Sequence, residues 1–235
     1  MTSTLRKLPL LGVAMALAAA TAVIPALSPR PVHAKDVTFD DGEWKWADSK
    51  KGAVKGKVTF STRRPKQPIV IYLVKQGADG KAGEQGLYDV PAEFEVSQRG
   101  AKFEPSFAVL VRKQRVKFLN DEKKEISHNV YFLGDVEADL GIFQQGESRE
   151  HDFDGAGEVS VHCSIHKRMD AKFFVAPNPA FAVLKAGASS FEIKGVPVGK
   201  YTLHTWQKQK RFKDFRVTVE VTDGGTKSVT VKMVR

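Results

Sequence analysis

The segment Glu158-Val159-Ser160-Val161-His162-Cys163-Ser164-Ile165-His166-Lys167-Arg168-Met169 holds two patterns end to end. In its first half Val159, Val161 and Cys163 fall on one side of an extended chain, and Glu158, Ser160 and His162 fall on the other. That is the period of a strand with one buried face, and it aims the Cys163 thiol inward from the strand's end. In the second half a thiol, an imidazole and a thioether recur at positions 163, 166 and 169. Soft sulfur with imidazole is a donor set that copper prefers among the common biological metals. The loop is one imidazole short of such a site, and His128, in Ile126-Ser127-His128-Asn129-Val130, is the candidate for it.

Strand signals run outward in both directions. Val54, Gly56, Val58 and Phe60 alternate, and Ile69 to Val74 is a continuous apolar run of the buried-strand type, with Arg63 to Pro68 as the turn between them. Gln76 to Gln85, rich in glycine and charge, reads as a mobile connector. Phe94 and Val96 alternate; Phe107–Val111 and Val116–Leu119 read as strands paired around a polar turn; Asn120–Ser127 is a charged loop; Asn129–Leu133 is strand. Asp135 to Glu150 is dominated by loop signals, and Lys172–Val175 returns beside the strand that ends at Cys163. Near the C-terminus, Phe191–Ile193 and Tyr201–Trp206 flank the turn Gly195–Gly199. Arg216–Thr222 and Lys227–Val234 flank Asp223-Gly224-Gly225, a hairpin signal. Helical periodicity is missing after the first 34 residues, so the chain reads as all-β, built of antiparallel sandwiches.

The N-terminus reads as an export signal over residues 1–34. Arg6 and Lys7 precede an apolar, alanine-rich stretch from Leu8 to Leu27, and Val32-His33-Ala34 offers a small-residue cleavage site. A retained membrane anchor is the alternative reading, since twenty apolar residues just span a bilayer. No later run is long enough, so no stable span is expected once the signal is removed. Losing Arg6, Lys7 and Arg30 leaves 34 basic against 27 acidic side chains, a formal charge of +7. Such a surface attracts acidic partners or anionic membranes; export and the lack of any nucleic-acid motif argue against DNA or RNA. With a single cysteine in the chain, an internal disulfide is impossible. Cys163 is then a metal ligand, a free or intermolecular thiol, or an inert core residue.

Type 1 copper takes two imidazoles and a thiolate in a plane with a weak axial thioether. His128, Cys163, His166 and Met169 supply that set. If Met169 were only core, the remaining Cys-His-His set would bring zinc into contention. His151, His162 and His204 show no ligand spacing, so a second, catalytic copper is not expected and the chain reads as an electron carrier rather than an enzyme.

Phe103-Glu104-Pro105, Val116 to Asn120, His128-Asn129-Val130, Gly146-Glu147-Ser148, Gly157 and the Cys163–His166–Met169 spacing together resemble the blue-copper cupredoxins, with the short ligand loop of the amicyanin type. The resemblance covers about residues 91–176. It implies a Greek-key sandwich, one copper ion cycling between Cu(I) and Cu(II), an exposed edge at His166, and a role for Asn129 in tying the two ligand-bearing loops together. Two departures stand out: the Val111–Val116 turn lacks the usual glycine, and Lys167 and Arg168 stand in the ligand loop where relatives often carry proline or apolar residues. These two cations either favour Cu(I) and dock an acidic partner, or simply extend into solvent.

Val54 to Val58, Ile69 to Leu73 and Phe191 to Leu203 resemble the carboxypeptidase-regulatory-like (transthyretin-like) sandwich. Its two parts, residues 35–90 and 177–235, are separated by the cupredoxin-like block, which implies a copper domain inserted into a second, smaller sandwich. The expectation is a periplasmic or otherwise exported protein shuttling single electrons between redox proteins, such as a c-type cytochrome or a periplasmic dehydrogenase. A copper-binding or delivery protein without redox cycling, and a non-redox adhesion module, are the alternatives.

Overall fold

A computed structural model describes residues 45–90 and 93–235. The expected signal segment 1–34 lies outside the described residues; Trp46 forms an isolated bridge with Tyr88. The described residues contain strands and turns and no α-helix, in agreement with an all-β fold. No helix among them is long and apolar enough to cross a membrane.

Two sheets are built from the ends of the chain. Strands β1 (Lys51–Phe60), β13 (Ser190–Pro197) and β16 (Thr226–Met233) form one, in the order β13-β1-β16. Strands β2 (Ile69–Lys75), β12 (Phe181–Leu184), β14 (Gly199–Gln207) and β15 (Arg216–Val221) form the other, in the order β12-β2-β14-β15. Val54, Val58, Ile71, Leu73, Ile193, Leu203, Val219 and Val231 belong to a single core cluster drawn from both sheets. Two more sheets use only the middle of the chain. One has the order β5-β11-β10-β7-β8, from β5 (Phe107–Val111), β7 (His128–Gly134), β8 (Ala138–Phe143), β10 (Gly157–His162) and β11 (Asp170–Ala176). The other runs β4-β3-β6-β9, from β3 (Phe94–Gln98), β4 (Phe103–Glu104), β6 (Arg115–Asn120) and β9 (Ser148–Asp152). Their shared core is aromatic, with Phe118, Phe132, Phe153 and Phe173 in mutual ring contact.

A third cluster joins the two halves. Val70, Phe107, Val109, Phe174 and Ala176 are buried together, with Tyr72, Phe181, Val183 and Trp206 packed against them. The continuous apolar runs of β2, β5 and β11 therefore have a cause: each strand is covered on both faces. Along β11 the alternation divides the labour, Phe173 facing the inner aromatic core and Phe174 facing the outer sandwich.

The structure corrects several local expectations. Phe107–Val111 and Val116–Leu119 do not pair; β5 lies parallel to β11, and β6 sits in the opposite sheet between β3 and β9. The connecting turn crosses the sandwich with Lys113 at φ 74° in place of glycine, held by Gln114 Oε1 accepting from Val111 N (3.1 Å). Strands β1 and β2 likewise lie in different sheets, and so do β15 and β16 around Asp223-Gly224-Gly225. That turn docks on the start of β1, with Gly224 N donating to Lys51 O (2.8 Å), and β16 then runs parallel to β1. The sandwiches are thus mixed rather than wholly antiparallel. Asp135–Glu150 contributes β8 and the start of β9 where loop signals dominate. Gln76–Gln85 is not a free connector, because Gln85 Oε1 accepts from Lys75 N (2.9 Å) and from Asn178 Nδ2 (2.9 Å).

Candidate metal centre

The sequence-predicted donors come from three strand ends at one edge of the inner sandwich. His128 opens β7, Cys163 follows the last residue of β10, and Met169 precedes β11. The intervening loop is closed by two backbone hydrogen bonds, Met169 N to His166 O (2.9 Å) and Cys163 N to Met169 O (3.2 Å). Those bonds fold residues 163–169 into a compact turn, so that His166 is brought back over Cys163. His128 is fully buried, Cys163 and Met169 are buried, and His166 is half-buried.

Donor atoms of His128, Cys163 and His166 all lie within 4.8 Å of one another. Both imidazoles turn Nδ1 toward the sulfur, at 3.9 Å for His128 and 3.7 Å for His166. A nitrogen and a sulfur bound to one ion at about 2.1 and 2.3 Å, spread at about 120°, stand roughly 3.8 Å apart. The spacing and the chemistry of the donors therefore fit a trigonal Cys-His-His metal site. Met169 is buried in the inner core beside it.

Asn129 occupies the junction between the two ligand-bearing segments. Its backbone N–H approaches Cys163 Sγ (3.5 Å), and its side-chain Oδ1 accepts from Ser164 N (3.1 Å). Its Nδ2 donates to Asp139 Oδ1 (2.7 Å), which also accepts from Gly141 N (2.9 Å). A single side chain so links β7, the loop after β10 and β8.

Sequence reasoning missed Glu122. It sits in the charged loop 120–127, yet it is buried, and its Oε1 lies 3.1 Å from His128 Nε2. With Nδ1 facing the sulfur, Nε2 carries the proton and donates it to the carboxylate, which fixes the ring's orientation and tautomer. Asn120 anchors the loop, donating from Nδ2 to Ile126 O (2.8 Å) and Phe143 O (3.2 Å), while Gln145 Nε2 donates to Glu122 O (2.7 Å). Burial works to raise the Glu122 pKa, but backbone donors from Ala101 and Gly100, with His128, outweigh it and hold the carboxyl below its ordinary value. Burial dominates at His128 and pulls its pKa down, favouring the neutral ring that a metal requires. Nothing in the run Asn120-Asp121-Glu122-Lys123-Lys124-Glu125 distinguishes Glu122 from its solvated neighbours; the spacing of six residues to His128 is the only trace.

Lys167 and Arg168 are exposed beside the half-buried His166; Ile165 is exposed in the same loop, and Ile142 is exposed on β8 opposite Asn129. The other described histidines have different surroundings: His162 packs on Tyr131, His151 between Phe132 and Phe153, and His204 against Tyr72 and Asp214. Among the described residues this is the one group of three such donors close enough to share an ion.

No protein-family model and no curated protein matches the chain. Solved structures similar to it include a reduced amicyanin variant, at 22% identity, covering 36% of this chain and 82% of that one with a TM-score of 0.32. A purple cupredoxin from Nitrosopumilus maritimus is 17% identical, covering 35% of this chain and 99% of that one with a TM-score of 0.32. A copper-containing nitrite reductase from Thermus scotoductus is 20% identical over 50% of this chain and 28% of its own, with a TM-score of 0.35.

Proposed function

We propose that the chain is an exported mononuclear type 1 copper protein that carries single electrons between redox proteins. The observation that carries this reading is the buried group of His128 Nδ1, Cys163 Sγ and His166 Nδ1 at one-ion spacing. Met169, buried beside Cys163, would add a thioether to the donor set, and Asn129 and Glu122 hold Cys163 and His128 in place. A copper ion held by these residues would supply one-electron chemistry. The protein's part is to keep Cys163 and His128 away from water, to fix both rings, and to leave the His166 edge accessible at the surface. Preorganised ligands need little rearrangement between oxidation states, which suits repeated transfer. A full set of protein ligands leaves no position for substrate, so the reading is a carrier rather than an enzyme. Its partners are an exported cytochrome or dehydrogenase with an acidic face complementary to Lys167 and Arg168.

The domain reading belongs here too. Residues 91–176 form the copper domain, inserted into a carboxypeptidase-regulatory-like sandwich made of 35–90 and 177–235, after a signal over 1–34. Support comes from the sheet membership: β1 and β2 pair with β12–β16 and with none of β3–β11.

Adding Cu(II) to the purified protein tests the copper reading. The expected result is an intense visible thiolate-to-copper band that bleaches on reduction and is missing from Cys163→Ser. A colourless protein that retains only Cu(I) replaces electron transfer with copper delivery. No copper uptake sinks both.

A further inference from the structure

The outer sandwich carries a basic pocket that has no part in the copper site. It lies between the β1–β2 connection, Ser61-Thr62-Arg63-Arg64-Pro65-Lys66-Gln67-Pro68, and the segment after β14, Gln207-Lys208-Gln209-Lys210-Arg211-Phe212-Lys213. Neither segment contains an acidic residue. The pocket has a volume of about 330 Å³ and is lined by Arg63, Arg64, Lys66 and Arg211 together with glutamine amides. None of these four cations makes an ion pair among the described residues. Such a concentration of unneutralised charge raises the local potential and favours an anion.

Two of the cations are placed on a rigid floor. The rings of Phe60 and Phe212 pack at 5.6 Å between centroids. The Arg64 guanidinium stands 5.3 Å over Phe60 and that of Arg211 5.8 Å over Phe212. Arg64 Nη1 also donates to Gly187 O. Gln207 locks the second segment, its Nε2 donating to Phe212 O (2.8 Å) and its Oε1 accepting from Phe212 N (3.3 Å). Guanidinium groups oriented in this way present paired N–H donors that match the oxygens of a phosphoryl group. One polar atom is left over: Gln67 Oε1 is buried in the pocket wall without a hydrogen-bond partner. A buried acceptor left unpaired is costly, and turning the Gln67 side chain toward the cavity lets a ligand O–H relieve it. A phosphoryl anion that also carries a hydroxyl satisfies both halves of the site. The volume sits at the lower end of the roughly 300–1,000 Å³ typical of small-ligand sites.

From these features we infer that the pocket binds a phosphoryl oxyanion bearing an O–H donor, as in hydrogen phosphate, glycerol phosphate or the phosphoglycerol headgroup of a lipid. Arg64 and Arg211 grip the oxygens, Arg63 and Lys66 add charge, and Gln67, turned toward the cavity, receives the hydroxyl. The site lies wholly in the outer sandwich and does not depend on what the metal centre does.

The test compares the parent chain with Arg64→Gln/Arg211→Gln and with Lys227→Gln/Lys232→Gln, which removes the same charge from exposed positions of β16. Calorimetric titration with inorganic phosphate and with glycerol 3-phosphate measures the free anion. Sedimentation with phosphatidylglycerol vesicles, against phosphatidylcholine vesicles, measures the headgroup. The expected result is a tenfold or greater loss of affinity in the pocket variant, at most a twofold loss in the β16 variant, and an intermediate loss in Arg64→Lys/Arg211→Lys. Loss confined to the free anions identifies a soluble ligand, and loss confined to phosphatidylglycerol vesicles identifies a membrane one. If the pocket variant fails to fold, Lys66→Gln replaces it, with about a threefold loss expected. Binding of neither probe by the parent chain, or equal losses in the pocket and β16 variants, overturns the inference.

Discussion

The contact between Glu122 and His128 is where a single side chain has most influence on the metal centre. A buried carboxylate 3.1 Å from Nε2 fixes the imidazole that faces Cys163, and its negative charge would favour the more highly charged oxidation state of a copper ion held there. Glu122→Gln keeps the shape and an acceptor but removes the charge. The expected outcome is a rise in reduction potential on the order of 60 mV, a tenfold shift between oxidation states for one electron, with copper affinity down by about 10–100-fold. Redox titration and competition against a chelator check the two effects; an unchanged potential would mean the carboxylate acts only as a peg. Asn129 works through geometry alone, because its three hydrogen-bonded contacts reach β8, Ser164 and the sulfur without adding charge.

At the scale of elements, the junction between the sandwiches rests on β14 crossing β5 and β11. Trp206 stacks on Phe107 at 5.9 Å and on Phe174 at 5.0 Å, and its Nε1 donates to Glu158 Oε2 (3.1 Å). Truncating it loses this area and leaves a void at the junction. Trp206→Ala should lower stability by roughly 3 kcal/mol, read from denaturant unfolding; no change would show that the sandwiches do not support each other. One turn on, Asp214 pins β14 to the start of β15, accepting from Thr205 N (3.0 Å) and from Arg216 Nε (2.7 Å). Burial opposes ionisation there, but the hydrogen bonds from His204, Arg216 and Thr205 prevail and bring its pKa down to about 2. A pKa lower in the folded than in the unfolded chain stabilises the fold above the unfolded value near 4, and the contribution disappears as pH falls from 4 toward 2. Its size is on the order of 1–2 kcal/mol, allowing for partial exposure. Asp214→Asn should flatten the acid limb of the stability–pH curve by that amount, read from denaturant unfolding across pH 2–5.

Taken whole, the molecule is cationic, and two of its positive charges stand at the proposed electron-exit edge. Lys167 and Arg168 are exposed and make no ion pair among the described residues. Replacing both by glutamine should lower the reduction potential and weaken the salt dependence of electron transfer, since exposed charges are screened over about 8–10 Å at ordinary ionic strength. Stopped-flow rates across a salt series check it; an unaltered slope and potential would leave both side chains as solvent-facing. Much of this organisation was legible in the residues. The alternation from Glu158 to Cys163 placed the thiol, and the run Ile69 to Val74 announced a strand covered twice. What local pattern did not reveal was which strands pair. Val111–Val116 and Asp223-Gly224-Gly225 look like hairpin turns, yet each carries the chain from one sheet to the other. A turn's residues fix its bend, whereas the choice of partner is made by the face the next strand must bury.

By itself the sequence determined the all-β character, the candidate metal donors and the inward aim of Cys163. Period-two alternation and ligand chemistry are properties of neighbouring residues, and they survive without knowledge of the fold. Only the tertiary structure decided that β5 lies beside β11, that β6 sits between β3 and β9, and that Glu122 is buried against His128. The physical reason is distance along the chain. Sheet partners, and the covering that makes one carboxylate in a charged run differ from the next, depend on segments far removed in sequence, and local pattern carries no record of them.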